Sequence, residues 1–76
     1  MMTKEEIVKQ LEEKNLTDII ELIRDAEKGY LEELELVEQI GLLHDAQLNQ
    51  EVIHLLESLG VKMIYVTYED EEEESE

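Results

Sequence analysis

Between Leu48 and Val66 the sequence LNQEVIHLLESLGVKMIYV changes its apolar period once, at a single glycine. Asn49 can cap a helix, because its side-chain oxygen accepts one of the backbone N–H groups left free at a helix start. Val52, Ile53, Leu55, Leu56 and Leu59 then recur with a helical period. Gly60 ends that pattern, since glycine takes the left-handed conformation at a helix C-terminus without steric cost. Beyond it Val61, Ile64, Tyr65, Val66 and Thr67 are β-branched or aromatic and read as a strand. Alternation places Val61, Met63, Tyr65 and Thr67 on one face of this strand and Lys62, Ile64, Val66 and Tyr68 on the other. Both faces are fairly apolar, so either the fold shields both or the second is a protein contact surface. The rest of the chain has to cover the helix and find the strand a partner.

It must do so with little material. Seventy-six residues make one domain, near the lower size at which a chain folds alone, and there is no cysteine to staple it. Proline, tryptophan and phenylalanine are also absent, which leaves leucine, isoleucine and valine to fill the interior. No apolar run approaches the roughly 20 residues of a membrane span, and MMTKEEIVKQ lacks the apolar core of a secretory signal. The expected setting is cytoplasmic, without membrane contact, and the expected state is a monomer.

Three more helices are expected upstream. Thr3-Lys4-Glu5-Glu6 has the spacing of a capping box, followed by a narrow stripe of Ile7, Val8 and Leu11 that ends at Lys14-Asn15. With so few anchors, this helix is expected to dock least firmly. Thr17 can cap a second helix with a wide stripe of Ile19, Ile20, Leu22, Ile23 and Ala26, stopped by Gly29. A third is expected over about Glu32–Ile40, with Leu34, Val37 and Ile40 inward and Glu32, Glu33, Glu35 and Glu38 outward. Gly41 closes it, and residues 42–47 form a linker. The fold class is therefore mainly α: a compact four-helix, helix-turn-helix-like domain over residues 1–68. Its short C-terminal strand would pair with a very short strand near Gly29–Leu31.

Charge is the unusual quantity. Twenty-two acids against six bases give −16, and residues 69–76 hold seven of those acids, leaving −9 on residues 1–68. Glu69, Asp70, Glu71, Glu72, Glu73 and Glu74 belong to no core and form a disordered acidic tail. Such a chain repels nucleic-acid phosphates and is drawn to basic surfaces that normally receive them. Direct nucleic-acid binding is disfavoured; acidity serving solubility alone stays open.

No residue set points to catalysis, a cofactor or a metal. His44 and His54 lie ten residues apart without cysteine nearby, and Ser58 and Ser75 have no evident base. The three glycines stand singly at helix ends, so there is no phosphate-cradling loop. The tail lacks the pattern of a calcium loop. A winged-helix DNA reader is contradicted by glutamates on the third helix, where basic or amide side chains would be needed.

Lys28-Gly29-Tyr30-Leu31, the acidic segment Glu32–Ile40, Asn49-Gln50-Glu51-Val52-Ile53, the run Leu55-Leu56-Glu57-Ser58-Leu59-Gly60-Val61 and the terminal acids form an ordered series. It resembles the N-terminal region 1.1 of bacterial primary sigma factors over about Ile19 to Glu74. That module has a helix ending in such a turn, a short glutamate-rich helix, a helix ending in leucine-glycine, a short strand and a string of acids. Glu32-Glu33 here replace the threonine and tyrosine usual after the turn leucine. The resemblance implies an autoinhibitory domain that keeps free sigma factor from promoter DNA and occupies the downstream DNA channel of RNA polymerase. Its partners would be RNA polymerase core, the DNA-binding regions of the same sigma factor, or both, and the 76 residues would be a fragment. Glu32, Glu33, Glu35 and Glu38, with Glu69 to Glu74 adding long-range attraction, would carry the contact. The alternative is a free-standing acidic interaction module that inhibits a basic nucleic-acid-binding protein.

Overall fold

A computed structural model describes residues 1–38 and 40–67, and the expected acidic tail lies outside them. Among the described residues the order is α1 (Lys4–Glu13), α2 (Thr17–Glu27), β1 (Glu33–Val37), α3 (Ala46–Ser58) and β2 (Lys62–Val66). Over these described residues the molecule is mainly helical, with three helices and a two-stranded parallel sheet rather than the four helices expected.

The capping box forms as the sequence predicts. Thr3 accepts from the Glu6 N–H through its hydroxyl at 3.2 Å, while the Glu6 carboxylate accepts from the Thr3 N–H at 2.8 Å. All three helices end alike. The residue two past each C-cap returns its N–H to the third-last helical carbonyl: Leu16 to Leu11, Tyr30 to Asp25 and Val61 to Leu56, at 2.9, 2.9 and 3.0 Å. The intervening residue must be left-handed, and it is Asn15 at φ 60°, Gly29 at 81° and Gly60 at 95°. In the last case Val61 and Leu56 are both buried, so the turn also closes an apolar contact.

The core joins all three helices. Ile7 and Leu11 of α1, Ile19, Ile20, Ile23 and Ala26 of α2, and Leu48, Val52 and Leu56 of α3 are buried together with Val61. Each large side chain removed from water contributes about 1.5–3 kcal/mol. Contrary to expectation α1 is firmly docked, since Ile7 and Leu11 are among the most buried side chains. Its start is tied by the Met2 N–H donating to Glu51 Oε1 at 3.0 Å, and an ion pair links Lys4 to Glu27.

Two expected caps move. Leu16, not Thr17, occupies the cap position of α2, because the turn that ends α1 runs straight into the next helix and leaves Thr17 already helical. Helix α3 begins at Ala46 rather than after Asn49, as the Asp45 carboxylate accepts the Leu48 N–H at 3.0 Å. Asn49 then lies inside the helix. Its side-chain oxygen accepts from Leu42 N–H at 2.8 Å and Leu43 N–H at 3.3 Å, anchoring the loop that leads into α3.

The largest correction concerns Glu32–Ile40. Residues 33–37 are a strand, with Leu34 and Leu36 on one side and Glu33, Glu35 and Val37 on the other. A helix would have turned Leu36 outward, yet it is buried, whereas Ile40, expected inside, is 58% exposed. Strand β1, not Gly29–Leu31, is the partner of β2, in the register Glu33 with Lys62 through Val37 with Val66. Parallel pairing requires a crossover between the strands, and α3 supplies it. Of the two faces of β2, Val61 and Met63 turn to the helical core, while Ile64 and Val66 are half-buried on the other side.

Candidate functional site

The four glutamates expected on one face of a helix are instead strung along β1 and its ends. Glu33 and Glu35 are exposed within the strand, about 7 Å apart along it. Glu32 and Glu38 are exposed just outside. Backbone bonds fix both ends: the Glu32 carbonyl accepts from Lys62 N–H at 2.8 Å, and the Glu38 N–H donates to the Val66 carbonyl at 2.9 Å. The four carboxylates are therefore spread over about 20 Å on a backbone held at each end. Positions 32 and 33, 33 and 35, and 35 and 38 are about 3, 7 and 10 Å apart along it, against a screening length of about 8 Å at physiological salt. Glu69, Asp70, Glu71, Glu72, Glu73 and Glu74 lie outside the described residues.

Charge is divided unevenly along the chain. Residues 1–28 carry eight acids and five bases, whereas residues 29–68 carry seven acids and one base, Lys62. Lys62 is exposed and lies across from Glu33 in the sheet register. Two of the helical-half bases are engaged, Lys4 with Glu27 and Lys14 with Asp45, the latter at 3.8 Å. The sheet and its flanks thus present nearly uncompensated negative charge, fixed in place by sequence.

No polar or charged side chain is buried among the described residues, and no group of three or more histidine, aspartate or glutamate side chains among them could hold a metal ion. His44 and His54 are both exposed. An open cavity of about 310 Å³ is lined by Leu16, Ile40, Leu42 and Leu43 together with Lys14, His44 and Asp45. It is largely apolar and draws its shape from the loop that Asn49 anchors. Among the described residues no helix is long and apolar enough to cross a membrane.

Sequence reasoning found the acids but missed their setting. The signal was present in the strict alternation Glu33-Leu34-Glu35-Leu36, which is a strand pattern, but glutamate is a poor strand former and Leu34, Val37 and Ile40 also fit a helical spacing. Asn49 was missed as the loop anchor because an asparagine before an apolar run reads equally well as a cap. In comparisons with known proteins the chain matches no family model, no curated protein and no solved structure.

Proposed function

We propose that this protein is a non-catalytic acidic domain that occupies a basic, DNA-receiving surface on a partner, in the manner of sigma factor region 1.1. In that reading it keeps a transcription initiation factor off promoter DNA and fills the downstream channel of RNA polymerase until duplex DNA displaces it. The observation that carries the proposal is the run of exposed glutamates at 32, 33, 35 and 38 on a backbone fixed at both ends, in a half of the chain with one base. A folded polyanion of this kind competes with DNA for lysines and arginines and gains part of the same counterion release. Glu69 to Glu74 add attraction at longer range.

The test is binding to RNA polymerase core, and to the isolated DNA-binding regions of a primary sigma factor, across a salt series. Affinity should fall at least about tenfold between 50 and 200 mM salt, as expected when several charge contacts are made. An affinity that does not change with salt would rule out the electrostatic mechanism.

One observation favours the second reading, a free-standing acidic inhibitor of another nucleic-acid-binding protein. The segment that is a short glutamate-rich helix in the sigma module is a strand here. Recovery of a basic nucleic-acid-binding protein, and no polymerase subunit, from a pull-down in the protein's own cell extract would decide for it.

A further inference from the structure

We propose that the free edge of β1 accepts a third strand from a basic partner, so that recognition runs through backbone hydrogen bonds as well as charge. The proposal rests on the reading above, in that it takes the partner to be cationic.

In a parallel pair each residue directs its N–H and its carbonyl to the same side. The Lys62 N–H donates to Glu32 and the Glu38 N–H to Val66, and Glu33 faces Lys62 while Val37 faces Val66. Leu34 and Leu36 are therefore the β1 residues that bond β2. Glu33, Glu35 and Val37 turn their backbone groups to the opposite edge. The Val37 carbonyl is taken by the Ile40 and Gly41 N–H groups at 3.0 and 2.8 Å. Among the described residues nothing bonds the outward N–H or carbonyl of Glu33 or Glu35. An edge of that kind is a template for another strand.

Charge decides which strand. A second copy of β1 would set glutamate against glutamate, and like charges directly opposite destabilise a sheet. The same two side chains favour lysine or arginine across from them. At the alternate positions, Leu34 and Leu36 on the opposite side of the strand call for apolar neighbours. The fitting segment is thus extended, with basic and apolar residues alternating over about five positions, and addition of such a strand to a sheet edge is a known mode of peptide recognition. One set of residues both blocks self-pairing and selects the partner.

The experiment uses the full 76-residue chain with three soluble peptides. One alternates lysine and valine, a second has the same composition with its lysines in a block, and the third is the alternating peptide N-methylated at the residues whose N–H groups would face β1. The alternating peptide should bind about tenfold more tightly than either of the others, the equivalent of one or two net hydrogen bonds. It should also slow amide exchange at Glu33 and Glu35 at least about tenfold. Equal binding of all three peptides without that protection would overturn the proposal and leave the electrostatic reading standing. Failure of every peptide to bind even at low salt would remove both.

Discussion

The α1–α2 half and the β1–β2 sheet of this molecule are built on opposite terms. The helices bury Ile7, Leu11, Ile19, Ile20, Ile23 and Ala26, close with matching turns and balance much of their acidity with five bases. In the sheet only Leu36 of the ten strand residues is buried, and one base stands among the acids. Helix α3 belongs to both, giving Leu48, Val52 and Leu56 to the core while linking the strands. The contrast teaches where each property resides. Stability comes from the helical core, so the sheet can remain shallow, charged and open along an edge without endangering the fold.

The sharpest way to break that contrast is to remove a side chain from each region. Leu56→Ala, at a position with no exposed surface, should cost about 2–5 kcal/mol in urea unfolding, a large fraction of the roughly 4–11 kcal/mol expected of a domain of this size. Ile64→Ala, on the half-buried outer face, should cost less than about 1.5 kcal/mol. Equal losses would mean that the sheet is part of the stabilising core.

A smaller effect is expected where the two regions meet. Asn49→Ala removes the acceptor that holds the Leu42 and Leu43 N–H groups, and should cost about 1–3 kcal/mol. Gly41 has φ 73°, and a Cβ there would meet the Asn49 side chain at 3.0 Å. Gly41→Ala should therefore destabilise as well, and in the double variant the two losses should fall short of their sum, because both act on one contact. Strict additivity in thermal unfolding would show that a side chain at position 41 does not act through Asn49.

The smallest effect on stability should come from the acids. Changing Glu32, Glu33, Glu35 and Glu38 together to glutamine should leave unfolding free energy within about 0.5 kcal/mol, because all four are exposed. Binding to a cationic partner should nevertheless weaken at least about tenfold. A variant that kept both would free these four carboxylates of any role in recognition.

The same division explains what could be read in the sequence. Helical halves announce themselves: the Thr3–Glu6 capping box, the stripes from Ile7 to Ala26 and the glycines at 29 and 60 each act over a few neighbouring residues, and each appears where expected. Strand β2 was legible for the same reason, from its β-branched run after Gly60. Strand β1 was not, since its identity depends on pairing with residues about thirty positions away across a helix. Local preference at Glu33 and Glu35 points away from a strand, and tertiary pairing overrides it. The acids of the site were visible as charge, but the open edge that they line follows from the parallel register, which no local pattern specifies.

In the proposed function this protein and duplex DNA compete for one basic surface. This competition is tested most directly by preforming the complex with RNA polymerase core and titrating in a downstream-length DNA duplex while following a fluorophore on the protein. Competition for one surface gives release that is complete at saturating DNA, with an apparent affinity for DNA that weakens in proportion to added protein. A ternary complex in which protein and DNA remain bound together, neither altering the other's affinity, would contradict it.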